Sequence, residues 1–280
     1  MEALTLNDYI FAFTLTLLAG ISTSIGAVLA FFSKDKNYTF LSFGLGFSAG
    51  VMIYVSFAEI LVKSRESFFE IYNDDVKAEI YMLIFFFLGM IFTALIDKFI
   101  PKDVNPHEIK NSSELSVLKN KSKHSVLDIK KLKRTGTFTA LAIAIHNFPE
   151  GFATFTAALE NPTLGISIAI AIAIHNIPEG MSVSLPIYYA TKNRKQAFKY
   201  ATLSGLAEPL GAVLGFFILY PFFNEASLAI IFAFVAGIMI FISLDELLPA
   251  SKVYGKAHSS IFGLILGMMI MSSSLVAFKI

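Results

Sequence analysis

Runs of about twenty apolar residues recur along this 280-residue chain. Tyr9 to Phe32 and Tyr81 to Ile100 are two of them, and a helix of that length crosses a hydrocarbon core about 30 Å thick. No other feature narrows the fold as far. Backbone groups in lipid must be satisfied internally, which leaves helices or closed barrels, and long runs without alternation are helices. Hydrophobic residues make up 55% of the chain and charged residues 15%, against roughly 25% charged in soluble domains. A soluble enzyme, a nucleic-acid binder and a disordered scaffold are thereby excluded. The net charge of +1 provides no global field to gather anionic partners. With no cysteine, the chain has no disulfide framework, thiolate metal site or cysteine nucleophile.

Counting runs bounded by charge, Pro or Gly predicts eight membrane helices, at 9–32, 39–61, 80–100, 137–159, 164–190, 197–221, 227–249 and 258–278. The first run is preceded by Glu2 and Asp8 and by no Lys or Arg, unlike a secretory signal, so it is expected to be a membrane helix. The expected organisation is therefore an all-α polytopic protein with three spans in 1–100, a loop at 101–135 and five spans in 136–280. That loop is rich in Lys, Ser and Asn and is expected to hold at most a short amphipathic helix, such as Ser125 to Leu132. Of the 22 Lys and Arg, 18 fall on the side of the 101–135 loop and four (Lys63, Arg65, Lys77 and Lys279) on the other. The excess of basic residues on cytoplasmic loops predicts that the long loop is inside and both termini are outside.

Two internal repeats refine this picture. Ala140 to Gly151 matches Ala169 to Gly180 at ten of twelve positions, and Gly46 to Leu61 matches Ala233 to Leu248 at eight of sixteen. Each pair joins spans an odd number apart, so the copies run in opposite directions. Inverted-topology repeats of this kind are how many secondary transporters build one central site between two mouths.

The first repeat carries the chemistry. His146 and Glu150 lie four residues apart on one helical face, and His175 and Glu179 repeat the spacing on the next span. Glu208, in the sequence Gly-Leu-Ala-Glu-Pro-Leu-Gly, adds a third carboxylate at mid-span. An ionised carboxylate at that depth costs about 2.5–3.5 kcal/mol on insertion scales, so three cost on the order of 8–10 kcal/mol if unpaired. No Lys or Arg lies between 137 and 190, so protons or a bound cation must balance them. Pro149 and Pro178 also lack the N–H that the carbonyls of Ile145 and Ile174 would accept. Imidazole, carboxylate and the amide oxygens of Asn147 and Asn176 form a mixed N and O set. Such a set suits Zn²⁺ and, with looser fit, Fe²⁺, Mn²⁺ and Co²⁺.

One intramembrane histidine is more often a helix-to-helix hydrogen-bonding group than a ligand. Two copies of the motif on adjacent antiparallel spans, with a third carboxylate at matching depth, reverse that judgement. Gly44, Gly46, Gly50, Gly211 and Gly215 read as close helix packing. His107, His124 and His258 read as surface histidines. In the second repeat Glu59 aligns with Glu246 and Ser56 with Ser243, which puts one carboxylate near each mouth. Guiding ions and snorkelling to headgroups are both open readings of that pair.

His-Asn-Phe-Pro-Glu-Gly at 146–151, His-Asn-Ile-Pro-Glu-Gly at 175–180, the eight spans and the long third loop resemble the ZIP family (Zrt/Irt-like metal transporters), above all its bacterial zinc transporters. The resemblance covers essentially the whole chain. It implies uptake of divalent metal across the inner membrane through a binuclear site. His146, Glu150, His175 and Glu179 would form a zinc-type half. Asn147, Asn176, Glu150, Glu179 and Glu208 would form an oxygen-rich half favouring Fe²⁺, bridged by the shared glutamates. The loop lacks the histidine-rich tract of many relatives, which weakens any expectation of metal sensing there. Family members are often dimers, so a homodimer is expected alongside the lipid bilayer and the metal ions as partners. No prosthetic group is expected, since the divalent metal is cargo. A metal exporter of the same fold and an intramembrane di-metal enzyme remain the alternatives. The second is disfavoured because di-iron bundles use Glu-x-x-His spacing.

Overall fold

The computed structural model describes residues 4–32, 38–99, 126–160, 162–219, 225–254 and 257–277. The expected loop is therefore covered only from Val126 onward, and its 101–125 portion, with His107 and His124, lies outside the described residues. Every regular element among them is helical: α1 (Leu6–Phe31), α2 (Tyr38–Val55), α3 (Leu61–Tyr72), α4 (Asp75–Phe99), α5 (Val126–Glu160), α6 (Pro162–Thr191), α7 (Arg194–Gly205), α8 (Ala207–Leu219), α9 (Glu225–Phe241), α10 (Leu248–Tyr254) and α11 (Ala257–Ala277). Ser56–Ile60 joins α2 to α3, and Ile242–Leu247 joins α9 to α10, each as a π-helical turn.

Local chemistry accounts for the ends. Thr5 N–H and Oγ1 both donate to Asp8 Oδ2, at 2.7 and 2.8 Å, closing the first turn of α1 as a capping box does. Asn73 ends α3 in the left-handed region at φ 48°, its N–H donating to the Phe69 carbonyl. Asp74 then accepts Lys77 N–H at 3.1 Å and starts α4. Asn193 Oδ1 accepts Gln196 N–H at the start of α7. The break at Leu206 between α7 and α8 follows from Pro209, which has no N–H for the Gly205 carbonyl. Pro149, Pro178 and Pro186 are instead carried inside α5 and α6, which run on through them.

Six helical stretches are long and apolar enough to cross a membrane: Leu6–Val28, Tyr38–Tyr72, Asp75–Ile96, Ile168–Thr191, Ala226–Val253 and His258–Ala277. The chain is a multi-pass membrane protein. Eight spans were expected, and the two stretches absent from the six are α5 and α7–α8. In α5 the apolar content is diluted by His146, Asn147 and Glu150 and by a basic opening segment, whereas α7 and α8 are separated at Leu206 into helices of 12 and 13 residues, each too short to span alone. The helix expected at 137–159 begins at Val126. Its basic start stays helical because Lys and Arg are good helix formers and no proline lies between Val126 and Phe148, the one weak position, Gly136, being packed against Ile187 of α6.

The helices sort into two bundles. In one, α1 packs on α6, α6 on α5, and α5 on α8, with α7 against α1, α5 and α6. In the other, α2 packs on α11, α9 on α4 and α3, and α10 on α2. Glycine brings backbones into touch inside both. A Cβ on Gly180 would collide with the Thr23 carbonyl, and one on Gly50 with that of Leu264. Between the bundles the main seam is α2 against α6, where Gly44 meets the Leu185 and Met181 side chains. The outer faces are apolar: Ile80, Leu83, Ile84, Phe87, Leu88 and Ile91 make an exposed stripe on α4.

Candidate metal centre

The repeated motif lies on α5 and α6, which pack side by side in the first bundle. Late residues of α5 and early residues of α6 line one cavity, so the two helices are antiparallel. The repeat is thus carried by helices facing each other head to tail. His146, Asn147, Glu150, His175, Asn176, Glu179 and Glu208 are all buried. His146 Nε2 lies 3.1 Å from Glu179 Oε1, and His175 Nε2 lies 3.3 Å from Glu150 Oε2. Each motif's imidazole therefore meets the other motif's carboxylate, in a crosswise arrangement that follows from two identical motifs on antiparallel helices.

The asparagines are set from outside the centre. Asn147 Nδ2 donates to the Ser204 carbonyl on α7 at 3.2 Å, and Asn176 Nδ2 to the Ala19 carbonyl on α1 at 2.9 Å. A carbonyl only accepts, so each amide must present its NH₂ to that backbone and aim its oxygen elsewhere. Asn176 Nδ2 also donates to Glu208 Oε1, tying α8 to the centre. Gly151 brings α5 against the Glu208 backbone, where a Cβ would overlap the Glu208 carbonyl. Small residues and backbone acceptors of α1, α7 and α8 thus fix the side chains of α5 and α6.

Several buried polar atoms then have no hydrogen-bond partner among the described residues: His146 Nδ1, Asn147 Oδ1, Asn176 Oδ1, Glu179 Oε2 and Glu208 Oε2. A buried polar atom left unsatisfied costs about 1–3 kcal/mol, and four of these five are amide or carboxylate oxygens with lone pairs to offer. Only a cation or proton donors can satisfy such a set. Among the described residues, no group of three or more His, Asp or Glu closes to ligand spacing, because each imidazole is drawn to the carboxylate opposite.

A cavity of about 330 Å³ connects this centre to one end of the molecule. Glu150 and His175 are part of its lining, Ile172, Thr156 and Phe232 are in its walls, and Glu59, Lys63, Glu66 and Glu70 stand on the α2–α3 side. Lys63 Nζ sits 2.7 Å from Glu59 Oε1. The cavity ends where α2–α3 is late and α9 is early in the chain, so these helices also run in opposite directions. Their repeat is matched atom for atom at the π-helical turns. Ser56 Oγ donates to the Met52 carbonyl at 2.7 Å and Ser243 Oγ to that of Met239 at 2.8 Å. Leu61 N–H reaches the Ser56 carbonyl, and Leu248 N–H that of Ser243.

The profile of the family described as ZIP Zinc transporter matches residues 97–274. The chain belongs to the ZIP family. Similarity to individual members covers nearly its whole length. It is 57% identical over 284 aligned residues to "Zinc transporter ZupT" of Campylobacter jejuni, with 97% of each chain covered. It is 52% identical over 280 residues to the protein of that name from Clostridium perfringens, with 98% of each covered, and 54% identical over 272 residues to that of Chlorobaculum parvum. As a ZIP family member the chain is a membrane transporter and not an enzyme, which removes the di-metal enzyme reading.

Of the expected residues, the structure pairs His146 with Glu179, His175 with Glu150 and Asn176 with Glu208, sets Asn147 against the Ser204 carbonyl, and separates the other two. Glu59 lines the open cavity, whereas Glu246 is buried at the other end of the bundle, 3.7 Å from Arg134 Nη1. Arg134 went unrecognised because the expected boundary at 137 assigned it to the loop. The absence of proline between Val126 and Phe148 was the signal that could have placed it inside α5. Lys63, Glu66 and Glu70 were also missed as lining, although with Glu59 they fall at i, i+4, i+7 and i+11.

Proposed function

We propose that this chain carries Zn²⁺ into the cytoplasm as a secondary transporter of the inner membrane, with Fe²⁺, Mn²⁺ and Co²⁺ as looser-fitting cargo. The observation that supports the reading is the cluster of buried lone pairs beneath a cavity whose lining includes Glu150 and His175. The names of the related zinc transporters agree with it. A divalent ion held by His146, Glu150, His175 and Glu179 would take the place of the proton that each His and Glu pair shares. A second ion would sit among Asn147, Asn176, Glu208 and the same two glutamates, whose unused oxygens make them bridges. Amide and carboxylate oxygens are harder ligands than imidazole, so this half would favour Fe²⁺.

In this reading α5 and α7–α8 complete eight spans, the cavity opens outside, both termini are outside, and two copies pair in the bilayer. Initial rates of Zn²⁺ uptake into proteoliposomes of the purified protein, with the gradient imposed in either direction, test it. Uptake that saturates and falls away in Glu179→Ala is the expected result. Net export under both gradients would overturn the direction. No Zn²⁺ flux in either would overturn the carrier itself. For the orientation, a cysteine at Asp74 should react with impermeant maleimide in intact cells and one at Lys195 should not.

A further inference from the structure

The second repeat has two equivalent carboxylates in opposite surroundings. Glu59 lines the cavity, its side chain 25% exposed, and its ion pair is with Lys63, one turn along the same helix. That pair is local and ties nothing together. Glu246 is fully buried, and one of its partners is Arg134 of α5, whose side chain is only 6% exposed. This second pair joins the two bundles, since the π-helical turn of Glu246 belongs to one and α5 to the other. Arg134 stands 22 residues before Thr156 of the cavity wall, about 33 Å along α5 at 1.5 Å per residue. The pair therefore lies toward the end opposite the cavity, where Arg134 also borders a mostly apolar groove of about 710 Å³ between α5 and α7.

Between the pair and the centre lies Thr139. It is buried, on the same face of α5 as His146 two turns on, and its Oγ1 has no hydrogen-bond partner among the described residues. A lone hydroxyl there is what a polar path, shut at its far end, would leave behind.

We infer that Arg134 and Glu246 form the latch that closes the exit half of the transport path. The inference rests on the carrier reading above and adds Arg134, a residue with no place in the metal centre. A guanidinium is always charged and a buried charge needs its partner, so the two groups must part together. Opening the exit separates the bundles at this point, and the Glu246 carboxylate, parted from Arg134, then faces the departing divalent cation. Glu59 needs no such release, because its partner moves with it.

The chain has no cysteine, so a single Thr139→Cys reports on the path. Its reaction with an impermeant maleimide is to be followed in sealed vesicles of both orientations, with uptake of Zn²⁺ measured on the same preparations. In the otherwise unaltered protein, labelling should be slow from both faces. Arg134→Gln should raise the rate at least about tenfold, the effect of a population shift of that size, from the face of Arg134 alone. Arg134→Lys should stay slow, and the exchanged pair Arg134→Glu with Glu246→Arg should return to slow labelling. If Arg134→Gln fails to reach the membrane, Glu246→Gln and the exchanged pair carry the same comparison. Equal labelling in the parent and the single variants, a rise from both faces, or fast labelling of the exchanged pair would each overturn the latch. Labelling that follows the expected pattern in a protein without Zn²⁺ flux would leave the latch standing and remove the carrier reading instead.

Discussion

The two internal repeats treat their symmetry differently. In the first, the copies are alike in sequence and in surroundings: both histidines are buried, and each faces the glutamate of the other copy. In the second, the copies share a π-helical turn and a serine bonded one turn back, yet one glutamate lines a cavity and the other is sealed. The first repeat meets at the centre of the molecule, where both copies must see the same neighbours. The second lies at the ends, where one path can be open while the other is shut. Equivalent sequence therefore guarantees equivalent chemistry only close to the symmetry axis.

The largest effect should come from the shared centre. Glu150→Ala or Glu179→Ala should reduce Zn²⁺ uptake at least about hundredfold, beyond the 10–100-fold typical of residues that only support a ligand, while insertion is retained because a costly buried charge is removed. If one glutamate is dispensable for uptake and the other is not, the centre is not symmetric. Next in size is the packing that holds it. Gly151→Ala and Gly180→Ala place a methyl against the Glu208 and Thr23 carbonyls, and each should lower stability by about 2–3 kcal/mol, seen as a lower Tm in detergent. An unchanged Tm would mean that α1 and α8 yield easily and do not set the centre.

A smaller effect is expected at the asparagines. Asn147→Ala and Asn176→Ala should weaken Fe²⁺ transport roughly tenfold and Zn²⁺ transport less, since hard oxygen donors are lost and imidazoles kept. Equal loss for both ions in competition assays would break the division into two halves. The smallest effects belong to the ends and sharpen the contrast most. Glu59→Gln should raise the external Zn²⁺ concentration for half-maximal uptake about threefold at low ionic strength, and Lys63→Gln should lower it, because each changes local cation concentration in the cavity. Glu246→Gln should leave that concentration alone and reduce the maximal rate. Identical effects of Glu59→Gln and Glu246→Gln would show that the ends are not distinct.

Much of this architecture was legible before any coordinates. Long apolar runs announce six of the helices because lipid selects for uninterrupted hydrophobicity. The paired motifs point to the residues that come together because four-residue spacing fixes a helical face whatever its neighbours are. What escaped was of another kind. The π-helical turns at Ser56–Ile60 and Ile242–Leu247 leave no mark in hydropathy, since they alter hydrogen bonding and not residue type. Arg134 escaped because charge was taken to end a membrane helix, whereas α5 continues through it and a glutamate from the other bundle compensates it. The cavity escaped because it exists only between helices far apart in sequence.

The π-helical turns carry one more consequence, for how such a chain can vary in length. Each contains one residue more than an α-helical turn would need, which rotates everything beyond it by about 100°. Downstream of the first, Ser64 Oγ reaches the Ala229 carbonyl at 2.7 Å and Phe68 stacks on Phe85. Deleting Ser56 or Glu59 would leave the helix continuous and every hydrophobic residue present, yet swing both of those side chains away from their neighbours. Single-residue insertions and deletions should therefore be purged from these two short stretches, although substitutions that keep their length pass more freely.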